Sequence, residues 1–145
     1  MASSGVQVGC WGIRSKYDAL MKKKTISWLK KELDRVFSIF IRQKYADSNG
    51  MVRCYTCGVL KPIKEMQNGH FVSRIHLATR YDEDNCRPQC VGCNVFGGGK
   101  IAVFATKLEA ELGKGIIGRL YRKAQQIVKD FPYESKIAHY KSLIK

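Results

Sequence analysis

Acidic residues are scarce in this chain: 12 Asp and Glu stand against 26 Lys and Arg in 145 residues, a formal charge of +14. The imbalance points to a polyanionic partner, with nucleic acid ahead of an anionic membrane surface. Long apolar runs are missing. No stretch approaches the ~18 consecutive apolar residues of a bilayer span, so no membrane association is expected. The Gly/Ser-rich opening, Met1 to Arg14, lacks the charged-then-apolar order of a secretory signal, which implies a reducing, cytoplasmic setting. No segment repeats at a period of roughly 20 to 50 residues, so a solenoid is excluded. Aliphatic runs are also thin in the middle third, and that region needs some other source of cohesion.

Cysteine supplies one. Four of the six cysteines form two Cys-x-x-Cys pairs, Cys54/Cys57 and Cys90/Cys93. In a secreted chain six cysteines would suggest three disulfides; in a reducing compartment two such pairs read as a four-thiolate zinc site. Each pair clips one side of a tetrahedral ion, and the 32 residues between the pairs become a loop whose ends meet at the metal. A closed four-thiolate site has no open position for substrate, so it is structural and any catalysis needs a second centre. Cys86 reads as a small buried thiol, and Cys10 falls in the tail.

Periodicity divides the chain into a flexible tail over 1–15, a helical segment over 16–50, a zinc-bound centre over 51–100 and a helical segment over 101–145. Leu29, Leu33, Val36, Phe37 and Phe40 give one apolar stripe, with Thr25 as cap and Asp47-Ser48-Asn49-Gly50 as stop. Trp28 is assigned to the same core stripe. Met51 to Cys54 and Met66 to Val72 read as strands, Ile75 to Tyr81 as a strand or a loop, and Asp82 to Asn85 as a turn. A short helix is expected from Cys90 to the Gly97-Gly98-Gly99 stop. Ile101, Phe104, Ala105, Leu108 and Leu112 predict a helix; Ile116, Leu120, Ala124, Ile127 and Val128 predict another; Ile137, Tyr140, Leu143 and Ile144 give a weaker third. The fold class is therefore α+β, a small zinc-stapled centre flanked by helices.

Three polar residues lie in or beside the stapled loop: His70, Asn85 and Asn94. An imidazole titrates near neutral pH and can take a proton from water beside a phosphodiester. An amide oxygen can hold a hard divalent cation. Each also has a plainer role: His70 as a hydrogen-bonded structural histidine, Asn85 as a turn residue, Asn94 as a helix cap. Arg74, His76, Arg80, Arg87 and Lys100 are assigned to DNA binding, because guanidinium forks grip phosphate and the charge is spread over a folded surface. The alternative for such residues is pairing with carboxylates.

Cys54-x-x-Cys57, Gly69-His70-Phe71, Asn85, Pro88 and Cys90-x-x-Cys93-Asn94 together resemble the HNH, or ββα-metal, nucleases. Gly69 to Arg74, with Ala78-Thr79-Arg80 and Pro88-Gln89-Cys90, is more closely similar to the phage NinG (Rap) recombination proteins, which act on branched DNA. The resemblance covers residues ~25 to 100 well and the C-terminal helices loosely. It implies a ββα-metal centre, His70 as general base, Asn94 as ligand of a catalytic Mg²⁺ or Mn²⁺, and Asn85 orienting His70 and its loop. It further implies cleavage of DNA, Holliday junctions or flaps for instance, by a phage-encoded enzyme in a bacterial host. Paired cuts on such a substrate would suit a homodimer. One position departs from the pattern: many HNH enzymes carry Asp immediately before the histidine, and here Gly69 stands there. Asn68, Asp82 and Asp84 are the alternatives for a second ligand. A non-catalytic zinc module that binds DNA structure is the rival reading.

Overall fold

A computed structural model describes residues 24–145. The expected tail over 1–15, Cys10 and the start of the 16–50 segment lie outside the described residues. Helix α1 (Ile26–Lys44) begins where Thr25 Oγ1 accepts the Trp28 amide at 3.1 Å. Asp47 ends it: its Oδ1 accepts the amides of Asn49 and Met51, both at 2.9 Å, and turns the chain into the first strand. The deep positions of α1 are Leu29, Leu33, Val36, Phe37 and Ile41, with Phe40 partly buried. Trp28 is not core. It is 43% exposed, with Lys24 Nζ 4.7 Å from its ring centroid, because the first turn of α1 reaches past the layer it packs on.

Two antiparallel hairpins follow. In the first, β1 (Met51–Arg53) pairs with β2 (Leu60–Pro62), and the connection carries the first cysteine pair. In the second, β3 (Met66–His70) pairs with β4 (Cys86–Cys90), Met66 opposite Cys90 and His70 opposite Cys86. The expected strand to Val72 stops at His70. The segment read as strand or loop contains a single helical turn, α2 (Leu77–Arg80).

β4 has no counterpart in the sequence reading, since Cys-Arg-Pro-Gln-Cys has neither alternation nor β-branched residues. All five of its residues are buried. Pro88 is tolerated because its carbonyl points away from β3 and accepts the Tyr55 amide at 2.9 Å. The imide nitrogen points the same way, so the missing N–H falls outside the ladder.

A π-helical turn (Gly92–Phe96) and a 3₁₀ turn (Gly98–Lys100) lead into α3 (Ile101–Leu112), α4 (Ile116–Ala124) and α5 (Tyr133–Leu143). Helix α4 ends at Ala124, four residues short of the expected stripe, and Ile127 is 87% exposed.

Three clusters make the core. Helix α1 packs on α5 through Leu33, Val36, Phe37, Ile137 and Tyr140, with the Phe37 and Tyr140 rings 4.9 Å apart. Phe71 and Val72 pack under Phe104, Leu108, Ile116 and Leu120 of α3 and α4. The third cluster joins Val52, Cys54, Met66, Cys90 and Cys93. The stripe that read as weakest therefore contributes the main partner of α1. Tyr133 and Tyr140 supply its buried face, and tyrosine can bury a large apolar body despite its hydroxyl. No described helix is long and apolar enough to cross a membrane.

Candidate active site

The four sulfurs of Cys54, Cys57, Cys90 and Cys93 lie within 4.8 Å of one another, and all but Cys57 are buried. They come from the end of β1, the turn after it, the end of β4 and the π-helical turn, so four separate backbone pieces converge on one point. Such a set can hold a zinc ion. Burial raises the Cys54 thiol, but the amides of Cys57 and Cys90 and the Thr56 hydroxyl outweigh it and bring it down to about 6. Cys57 is lowered by the Val59 amide yet ends up pushed to about 12 by burial and by sharing protons with the other three thiols.

β3 delivers His70 at its last position. Its Nε2 lies 2.9 Å from the Arg80 carbonyl oxygen. A carbonyl only accepts, so Nε2 carries the proton and Nδ1 keeps its lone pair. Burial first, then the Arg74 and Arg80 guanidiniums, depress the imidazole below its ordinary value, against the Arg80 carbonyl and Asp34. His70 is thus neutral near pH 7, the form a base requires.

Asn85 is fully buried and does not face a cleft. Its Oδ1 accepts the Val72 amide at 2.7 Å, and its Nδ2 donates to the carbonyls of Val72 and Thr79, both at 3.0 Å. Asn85 therefore ties down the loop that ends in Arg80, whose carbonyl holds His70. This is a positioning arrangement, more than the turn role alone would require.

Asn94 lies within the π-helical turn, so the capping alternative does not describe it. Its Nδ2 donates to Gln67 Oε1 at 2.7 Å, which leaves its own Oδ1 for another partner. Asn68 shares a strand face with His70, two residues away. Its Oδ1 is buried and has no hydrogen-bond partner. Two clefts of ≈ 580 and ≈ 570 Å³ meet at these residues, and Asn68, His70, Arg74 and Asn94 line both. Asp82 and Asp84 are elsewhere, held by Lys123 and Arg119 at 2.6 Å each.

Gly69 has a steric explanation. A Cβ there would sit 2.2 Å from Gln89 Oε1. Gln89 is fully buried on β4, its Nε2 donating to Thr56 Oγ1 at 3.0 Å and the Gly99 carbonyl at 2.8 Å, and its Oε1 has no partner. An Asp at 69 would need the space this amide fills. In the sequence Gln89 carries no role of its own; it appears only within the Pro88-Gln89-Cys90 segment of the family resemblance.

Two arginines expected on the DNA-facing surface are committed inside the protein. Arg80 is 7% exposed; its Nε and Nη2 grip Asp34 at 2.8 and 2.6 Å, and its Nη1 donates to the Arg74 carbonyl. Arg87 is 2% exposed, pairs bidentately with Glu111 at 3.2 and 2.9 Å, and donates to the carbonyls of Glu83 and Cys86. The Tyr45 and Tyr55 rings lie on it, both at 5.4 Å. Arg80 uses three of its five N–H donors on these partners and Arg87 four, and α2 and β4 turn both forks into the core and away from a phosphate. Arg74 stays exposed in both clefts with one bond to Asp34, His76 lines one cleft, and Lys100 is exposed.

The family model described as Bacteriophage Lambda NinG protein matches residues 12–145, and the chain belongs to this family. No curated protein and no solved structure matches it.

Proposed function

We propose that this protein is a metal-dependent DNA endonuclease of the HNH type that hydrolyses phosphodiester bonds in branched recombination intermediates. The supporting observation is the His70 arrangement: Nε2 committed to the Arg80 carbonyl, Nδ1 left free, and two amide-bearing residues beside it in the same clefts. His70 Nδ1 takes a proton from water. The water oxygen bonds to phosphorus, the P–O3′ bond breaks, and the products are a 5′-phosphate and a 3′-hydroxyl. Arg74 binds the phosphate, and His76 returns a proton to the leaving oxygen.

The residues present fit a hard divalent cation. The orphaned Asn68 oxygen and the unclaimed Asn94 oxygen are neutral oxygen donors, and Mg²⁺ or Mn²⁺ keeps waters at its other positions. Such an ion, when bound, supplies charge stabilisation to the phosphate and the departing oxygen. The family resemblance supports branched DNA as the substrate and the cytoplasm of an infected bacterium as the setting, and two matched cuts on a four-way junction would suit a homodimer.

One observation favours the rival reading of a DNA-structure binder: with Gln89 filling the space beside Gly69, the site has no carboxylate at that position. Cleavage of labelled duplex, flap and four-way-junction DNA with Mg²⁺ or Mn²⁺ separates the two. The nuclease reading expects wild type to cut and His70→Ala to bind DNA and zinc but not cut. Binding without cutting by either protein would establish the rival.

A further inference from the structure

The turn after Asn94 is unusual in two respects. Phe96 is 84% exposed, the most exposed aromatic side chain among the described residues, and Val95 beside it is 56% exposed. Leaving a phenylalanine in water costs solvation that folding normally recovers. This one is also held in position. Cys93 anchors the turn at one end, and at the other Gly97 is so tightly enclosed that a Cβ would meet Lys100 Cε at 2.7 Å and the Cys93 carbonyl at 3.0 Å. π-Helical turns of this kind often mark functional positions.

The turn also parts the two clefts. Asn94 lines both, Val95 lines only the one under α1, and Gly98 lines only the one beside α4. The first cleft runs past Arg35 and Arg42, the second past His76 and Tyr121, and Arg74 serves both. The Lys100 stem lies along Gly97, next to the apolar tip. A continuous duplex needs one basic channel through a site. Here two clefts diverge from the same four residues, Arg74 is the cation common to both, and the turn that carries the apolar tip lies between them.

We infer that Val95 and Phe96 form a wedge that unstacks the bases at a DNA branch point, so that each cleft receives one arm. The inference rests on the DNA-cleaving reading of the site and adds to it the feature that selects a branch. Basic side chains flanking an apolar tip complement a phosphate backbone around exposed base faces. A protein partner would match the tip, but Arg35 and Arg42 along the cleft under α1, with Arg74 where the two clefts meet, favour a polyanion.

The test compares Phe96→Ala and Phe96→Trp with wild type, using Ca²⁺ in place of Mg²⁺ so that DNA stays intact. Affinity is measured for a four-way junction, a flap and a linear duplex at one salt concentration. 2-Aminopurine at the branch reports unstacking. Phe96→Ala is expected to weaken junction and flap binding about 10-fold, the scale of one lost base–aromatic stack, with duplex binding within about 2-fold. It should also abolish the fluorescence rise, and Phe96→Trp should keep both. Zinc content and circular dichroism confirm that the variants fold. Equal losses on all three DNAs, or none, would overturn the wedge while the nuclease reading stood. Conversion of a wild-type dimer to a monomer by Phe96→Ala would overturn it in favour of an interface between copies. Failure of wild type to bind any DNA would remove the nuclease reading itself, and the wedge with it.

Discussion

The four-cysteine centre and the helical clasp are held together by different physics. Between α1 and α5 the interior is aliphatic and aromatic, and its cohesion comes from burial. In the centre, Thr79, Asn85, Arg87 and Gln89 are as deeply buried as any leucine, and each owes its place to specific hydrogen bonds. A polar interior of that kind specifies geometry closely but gives little net stability. The clasp interior is mostly its own, with Tyr81 and Cys86 reaching in from the centre, whereas the centre has few aliphatic side chains and closes around the four cysteines.

Zinc removal breaks the comparison most directly. Structural zinc is worth on the order of 10 kcal/mol in small domains. Chelation, or Cys90→Ser, should release amide protection across residues 51–100 while helical circular dichroism from the clasp persists. A single transition that melts both regions together would contradict the division.

Under the proposed function, His70→Ala should lower cleavage by roughly 10²–10⁴-fold, the range for a lost general base, with thermal stability almost unchanged. The same residue predicts a pH profile. The folded imidazole sits below its ordinary 6.5, and the neutral form is the base. On the acid side, cleavage should therefore fall as pH drops below 6.5 through the folded value. Stability follows the same sign. The unfolded chain takes up the proton first as pH falls, so His70 reduces stability only below about pH 6.5. A rate that rises on acidification would reject this assignment.

Arg87→Ala leaves the Glu83 and Cys86 carbonyls without this donor and empties the slot between two tyrosines; about 3–5 kcal/mol should be lost in a denaturant titration. Phe37→Ala should cost a similar amount, about 3–5 kcal/mol, by opening a cavity between α1 and α5. The two losses should differ in place: hydrogen exchange should rise around β4 for the first and along the clasp for the second.

Gly69→Ala sharpens the comparison on a smaller scale. The added methyl meets Gln89 Oε1, and overpacking of this kind costs about 1–3 kcal/mol. Gln89→Ala should rescue part of that loss in a double-mutant cycle. Additive losses would mean that Gln89 is not the obstacle. Trp28→Ala should cost least, about 1 kcal/mol, since the residue sits at the edge of the core and is 43% exposed.

Much of this architecture was legible beforehand, for reasons that differ by element. Helix α1 declared itself through Leu29, Leu33, Val36 and Phe37, because a 3.6-residue period is a local property. The convergence of Cys54, Cys57, Cys90 and Cys93 was legible because ligand spacing is written in the chain. β4 was not, since Arg87-Pro88-Gln89 has no strand pattern; its strand state comes from pairing with β3 and from partners in α2, α3 and the Gly97–Lys100 turn. For the same reason Arg80 and Arg87 read as surface charge. Their carboxylate partners, Asp34 and Glu111, lie 46 and 24 residues away.

By itself the sequence determined the charge balance, the spacing of the four cysteines, the period of the long helices and the candidacy of His70 and Asn94. Tertiary structure alone decided which arginines are buried, which histidine nitrogen is free, why position 69 is glycine, and that two clefts meet at one group of residues. The first set consists of local properties carried by residue type and spacing. The second depends on which distant groups come within hydrogen-bond reach, and a pair such as Arg87 and Glu111 acquires its meaning only when the chain has closed around it.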